Sequence, residues 1–181
     1  VNTLVRRPDG SIFGDITDFL GFSQMVRASG IRAEGEKAVV LGSGGASVTV
    51  CAVLRELGAR EVTVISRHGE DNYTNLDRHR DAALVVNTTP VGMYPDTEKK
   101  PIDISAFPVL EGVLDAIYHP LRTNLVLDAQ ERGIPASGGL YMLSAQAVYA
   151  SAVFLGKEVE PALIEKAYSI VKADKQNIVL I

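Results

Sequence analysis

Asp18 is the acid best placed for proton chemistry in this chain. It follows Gly14-Asp15-Ile16-Thr17 at a predicted helix start. A carboxylate there can hold a lysine in orientation and share proton transfer to a substrate oxygen; it can equally cap the helix. Asp15 reads as the structural member of the two. Gln146 sits among Leu, Ala, Val and Tyr in a helix expected to be mostly buried. A buried amide must find partners, either backbone groups or a polyhydroxylated ligand. Tyr118 and Asn87 each follow a predicted strand and read as ligand contacts or as loop anchors. The turn Gly42-Ser43-Gly44-Gly45-Ala46-Ser47 follows an apolar run and opens an apolar helix. That arrangement brings backbone N–H groups and a helix N-terminus up to a phosphate. Gly42 permits the sharp exit from the strand, Gly44 lets the backbone approach a pyrophosphate, and a small Ser47 lets helix and strand pack closely.

The end of the next strand selects among nucleotides. An acidic residue there takes a ribose 2′-OH, and an arginine suits a 2′-phosphate. The chain has Ser66-Arg67-His68 at that place, with Glu70 and Asp71 a few residues late for the ribose role. Arg67 offers a planar donor fork for phosphate, so NADP is favoured over NAD. His68, His79 and His119 show no metal-ligand spacing, and no metal is expected. Cys51 falls inside the helix after the glycine turn and reads as a small buried hydrophobe.

These residues need a scaffold. The pattern predicts an α/β protein of Rossmann type: a doubly wound, mainly parallel sheet with helices on both faces. Val1 to Val5 and Ile12-Phe13 read as a hairpin around a Pro8-Asp9-Gly10 turn. A helix is expected from near Phe19, capped by Asp18 or Thr17 and stopped by Gly30. Predicted strands cover Ala38 to Leu41, Val62 to Ile65, Ala82 to Val86, Gly112 to Ile117 and Ile134 to Ser137. Predicted helices cover Ala46 to Leu57, Thr123 to Gly133, Leu140 to Leu155 and Val159 to Ala173, and Lys175 to Ile181 reads as a tail. Asn87 to Met93 becomes a loop at the carboxyl end of a strand, where open parallel sheets bind ligands.

Bulk composition narrows the class. The 181 residues are 46% hydrophobic and 22% charged, an ordinary globular balance. Net charge is 18 − 22 = −4, so no global basic field is present for nucleic acid or an anionic membrane. One cysteine excludes an intrachain disulfide and a cysteine-based zinc site. No leader or spanning segment is visible, and a cytoplasmic, reducing setting is the expectation.

Together these motifs resemble the shikimate dehydrogenase family, along nearly the whole chain. Val1-Asn2-Thr3 is similar to the family's V-N-T, and Gly14 to Asp18 to its G-x-N-T-D, followed by Gly21-Phe22. Gly42 to Ser47 is similar to the glycine loop G-x-G-G-A-S, and Ser66-Arg67 takes the place of N-R at the 2′-phosphate. Asn87 to Met93 is similar to N-T-T-P-x-G-M, Asp115 to Thr123 to D-x-x-Y-x-P-x-x-T, and Gly139 to Ala147 to G-x-x-M-L-x-x-Q-A. The resemblance implies an NADP-dependent enzyme that interconverts 3-dehydroshikimate and shikimate. It implies Asp18 as the acidic half of a catalytic Lys–Asp pair, and Asn2, Tyr118 and Gln146 as substrate contacts. It implies Gly42, Ser43, Gly44, Gly45, Ala46, Ser47, Ser66, Arg67, Asn87, Thr88, Met93, Gly139 and Met142 around the cofactor. The implied partners are the small-molecule substrate, no nucleic acid and no membrane; a homodimer is compatible with it.

By the same resemblance residues 1–20 are the end of an N-terminal substrate domain, 21–155 the NADP-binding domain, and 156–181 a helix and tail returning toward the former. Two features depart from the family. Ile16 stands where it usually has Asn, and no lysine here matches the motif that carries the catalytic lysine and a serine pair. The chain is therefore expected to be the C-terminal part of a longer enzyme. A stand-alone NADP-binding module and a quinate-type relative using NAD stay open as alternatives.

Overall fold

We describe a computed structural model covering residues 1–178, with side chains up to Asp174. Five strands form one parallel sheet: β3 Lys37–Leu41, β4 Glu61–Ile65, β5 Leu84–Asn87, β6 Gly112–Asp115 and β7 Ala136–Ser137, in the order β4-β3-β5-β6-β7. β3, β5 and β6 are buried along their whole lengths. That explains their unbroken apolar runs, since a parallel strand covered on both faces need not alternate. From β3 the chain goes to β4 on one side, then returns to place β5 on the other. The crevice above this reversal is where an open α/β sheet binds ligands.

Residue alternation divides the core in two. Ala38, Val40, Leu84, Val86 and Leu114 face one side with Val50 and Leu54; Val39, Leu41, Val85 and Val113 face the other with Leu125 and Ala129. The first side carries three helices: α1 Thr17–Ser29, α2 Gly45–Glu56 and α4 Leu140–Leu155. The second carries α3 Asn124–Glu131 and two short 3-10 turns, Leu76–His79 and Ile104–Ala106. Helices thus lie on both faces as expected. A separate antiparallel hairpin, β1 Thr3–Arg6 with β2 Ile12–Asp15, precedes α1. Among the described residues no helix is long and apolar enough to cross a membrane.

Two helix ends differ from expectation. α1 starts at Thr17, with Ile16 as its N-cap residue and no side-chain cap from it. Neither Asp18 nor Thr17 caps it. The cap comes from across the hairpin: the Asn2 carbonyl oxygen of the side chain accepts the Thr17 N–H at 2.9 Å. A pattern-based cap search looks only at the neighbouring residues, so it misses a donor–acceptor pair fifteen positions apart. The last helix, α5, runs Pro161–Ile178 and takes in part of the expected tail. No glycine or proline follows Ala173 to stop it. The rest of that tail, residues 179–181, lies outside the described residues.

Candidate active site

Asp18, Tyr118 and Gln146 line one cleft of about 190 Å³ at the carboxyl edge of the sheet. Four elements meet there. α1 contributes Asp18 from its first turn, the stretch after β6 contributes Ala116 and Tyr118, and α4 contributes Met142 and Gln146. The fourth wall is the start of α2, with Ala46 and Thr49. Because Asp18 is not used as a cap, its half-buried carboxylate faces this space. Gln146 is half-buried rather than enclosed. Its side-chain amide makes no hydrogen bond among the described residues, which leaves both of its ends for a ligand in the cleft.

Close packing of α1 on α4 brings the acid and the amide together. A side chain at Gly21 would stand 2.8 Å from the Met142 carbonyl oxygen and 3.0 Å from the Gln146 Cβ. Only glycine lets the two helices approach this far. Gly139 does the same at the α4 N-terminus, where a Cβ would run into the Ala116 carbonyl. The Gly139 N–H donates to the Ile117 carbonyl oxygen at 2.8 Å and fixes the entry to the helix.

The glycine turn leaves its backbone open to approach. Gly42 has φ +102°, and a Cβ there would meet Thr89 at 2.9 Å and Thr88 at 3.0 Å. Around Gly44 and Gly45 the space is open to 4 Å, so the backbone itself can be approached. Ser47 is buried, and its hydroxyl donates to the Gly44 carbonyl oxygen at 2.6 Å, closing the turn onto the helix. Ser43, Gly44, Gly45 and Ala46 are exposed above it. The first N–H groups of α2 lack intrahelical acceptors and carry the positive end of its dipole. Ser66 and the exposed Arg67 stand at the carboxyl end of β4, the strand next to β3. Burial pushes the Tyr73 hydroxyl up, and the Arg67 charge pulls against it.

Four further expected site residues do not line the cleft, although Thr88 stands against Gly42 of the glycine turn. Asn2 holds Thr17: its side-chain oxygen takes the backbone N–H, and its amide donates to Thr17 Oγ1 at 3.1 Å. Thr88 donates to the Leu41 carbonyl oxygen at 2.7 Å and ties the β5 loop to the end of β3. Met93 is exposed and does not line the cleft. Asn87 is fully buried and, by alternation from Val85, faces the α3 side of the sheet. Its side-chain oxygen accepts from the Thr89 N–H and hydroxyl, at 3.0 and 2.7 Å, and its amide donates to Asp115 at 3.1 Å. Its groups are committed inside the protein.

Asp115, the first residue of the Asp115-to-Thr123 motif and assigned no role from sequence, is the centre of that node. Strand register sets it opposite Asn87. It also accepts from the Ile117 N–H at 3.0 Å and the Thr123 hydroxyl at 2.6 Å, and Thr123 caps α3. Burial pushes its carboxyl up to about 6, against the pull of the bonds from Thr123, Ile117 and Asn87. Thr49 was also missed. The signal was its position three after Ala46, on the same helical face toward the cleft. A wider groove of about 660 Å³ lies between the hairpin and the α4–α5 connection, lined in part by Arg7, Phe13, Tyr149 and Lys157. None of the expected site residues lines it.

A parallel sheet with a glycine turn at its reversal point, an arginine just past the end of the next strand, and an acid facing the same edge is the arrangement of a dinucleotide-binding oxidoreductase domain. No family model matches the chain. It is 30% identical over 185 residues to the shikimate dehydrogenase (NADP(+)) of Clostridium perfringens strain SM101, covering 95% of this chain and 68% of that protein. It is 36% identical over 177 residues to the enzyme of the same name from Thermus thermophilus, covering 92% and 66%. The crystal structure of shikimate 5-dehydrogenase from another strain of Thermus thermophilus, in complex with NADP(H) and shikimate, superposes with a TM-score of 0.77 at 32% identity, covering 92% and 66%. A chorismate mutase/shikimate 5-dehydrogenase fusion protein from Clostridium acetobutylicum superposes at 0.89 with 27% identity, covering 96% and 67%. The chain belongs to the shikimate dehydrogenase family. It spans about two thirds of the length of these relatives.

Proposed function

We propose that this chain is the NADP-binding, acid-bearing part of an NADP-dependent shikimate dehydrogenase. The reaction is the reversible reduction of 3-dehydroshikimate to shikimate, on the route to chorismate and the aromatic amino acids. The observation that carries this reading is the shared cleft of Asp18, Tyr118 and Gln146, whose remaining wall is the helix that opens from the glycine turn. On this reading residues 1–20 close a substrate domain, 21–155 bind the cofactor, and 156–181 return toward the substrate domain. The boundary at residue 20 falls within α1, the helix that joins the two functions. The enzyme works in the cytoplasm, and its compatible assembly is a homodimer.

When bound, NADPH supplies the hydride that the ring carbonyl carbon of the substrate receives. The turn from Gly42 to Ser47 takes the pyrophosphate on backbone N–H groups, and Arg67 takes the 2′-phosphate. Gly139 and Met142 form a smooth wall on which a flat ring can lie. Tyr118 and Gln146 hold substrate hydroxyls, one by its phenol and the other by its amide. Asp18 keeps the partner lysine charged and aimed, and the pair moves the proton at the substrate's carbonyl oxygen. No lysine of this chain lines the cleft among the described residues. Holding the reactants in place accounts for most of the protein's share of the catalysis.

The test is to mix the chain with NADPH and 3-dehydroshikimate and follow the near-ultraviolet absorbance of the reduced nicotinamide. NADP should bind while turnover stays slow, and the Asp18→Asn variant should bind NADP equally well with turnover lost. Full-speed oxidation by the chain alone would refute the need for the lysine. Failure to bind NADP would refute the reading as a whole.

A further inference from the structure

The stretch between β4 and β5 has no regular helix, yet it contains a buried histidine. His79 is 7% exposed. Its Nε2 lies 2.9 Å from the Asp71 carboxylate, and its Nδ1 is buried with no partner among the described residues. A carboxylate only accepts, so Nε2 carries the proton and donates. A buried ring with an unpaired nitrogen is costly for the fold. The cleft does not use it, so its value must lie in what it holds.

What it holds is the loop that carries Arg67. Asp71 closes that loop: its carbonyl oxygen accepts the Ser66 N–H at 3.1 Å. Ser66 to Asp71 is therefore a six-residue loop with its base tied at the end of β4. It is tight inside, since a Cβ on Gly69 would stand 2.7 Å from the Ser66 hydroxyl and 3.0 Å from the Asp71 carbonyl oxygen. Asn75 donates to the Glu70 carbonyl oxygen at 2.9 Å, and its own side-chain oxygen accepts the Asn72 N–H at 2.8 Å. Every brace sits on the Asp71 side, and Arg67 and His68 are exposed on the other.

We propose that His79 is the positioning residue for recognition of a 2′-phosphate. Through Asp71 it holds the Ser66–Asp71 loop in the one arrangement that presents Arg67 at the carboxyl edge of the sheet. This rests on the reading of Arg67 as the 2′-phosphate contact. His79 touches no ligand; it removes the ordering that the loop would otherwise undergo on binding.

Calorimetric titration of the chain with 2′,5′-ADP and with 5′-AMP tests this, because the two probes differ in the 2′-phosphate. His79→Ala should lose about tenfold in affinity for 2′,5′-ADP, the cost of ordering one loop, and bind 5′-AMP as before. His79→Gln, which can still donate to Asp71, should restore the affinity. Asp71→Ala removes the same brace from the solvent side and should behave like His79→Ala; it decides the matter if the buried variant does not fold. Equal losses for both probes, or an unchanged preference in a folded variant, overturn the proposal. A native chain that does not prefer 2′,5′-ADP overturns the NADP reading itself.

Discussion

Asp115 binds its proton more tightly in the folded protein than in the unfolded chain, because burial opposes its charge. Between the two values, from 3.8 up to about 6, the folded state holds more protons. Stability from this group is therefore fully present below the lower value and is lost as pH rises through the upper one. Two units correspond to about 2–3 kcal/mol. In Asp115→Asn this loss is absent. Urea unfolding of both proteins at pH 4 and pH 7 should show the native chain giving up that much stability more than the variant; equal slopes would show that the carboxyl ionises freely. Arg67 makes the opposite kind of prediction, since it is exposed and does nothing visible for the fold. Arg67→Ala should leave the unfolding midpoint unchanged and weaken NADP by about 1–3 kcal/mol, the range for a hydrogen bond to a charged group. NAD affinity, measured alongside, should not move; a quinate-type protein using NAD would show no change for either cofactor.

The helix pair α1–α4 positions the acid, and glycine makes the pair possible. Gly21→Ala puts a methyl group against the Met142 backbone carbonyl of α4, a clash relieved only if α1 and α4 move apart. Overpacking of this kind costs about 1–3 kcal/mol. The thermal midpoint should fall, and turnover should fall with it because Asp18 and Gln146 separate. Binding of 2′,5′-ADP should be unaffected, since the Ser66–Asp71 loop follows β4, away from the α1–α4 contact; a parallel loss there would mean that α1 supports the entire sheet edge. α4 was legible in the sequence from end to end, because Gly139 and Gly156 bracket a mostly apolar run. The first turn of α1 was not, because its cap is supplied by Asn2 from the hairpin. The final helix was extended for the same sort of reason: local composition weakens after Ala173 without any residue that stops a helix.

At the scale of the whole molecule the legible part of the site was the part written in local pattern. The glycine turn, Arg67 at a strand end and Asp18 near a helix start are each defined by a few consecutive residues, and the cleft indeed gathers Asp18, Tyr118, Gln146, Ala46, Gly139 and Met142. Asn87 and Asp115 were not legible as a bonded pair, because the partner a strand-end residue meets depends on register with a strand 28 positions away. The same distinction orders local stability. β3 and β5 lie at the centre of the sheet with both faces covered, whereas α5 buries only Ile164 among its described side chains and the hairpin has two strands alone. Amide hydrogen exchange should therefore be slowest in β3 and β5 and fast in α5 and the hairpin. NADP should change this map in one place. The amides from Ser43 to Ala46 end no internal ladder, and a bound pyrophosphate gives them acceptors. Their exchange should slow on adding NADP while α5 keeps its rate, because ligand contact and local opening are then separable. Protection appearing across α5 and the hairpin instead would mean that the cofactor acts by stabilising the whole fold, and that the glycine turn is not where its phosphates are held.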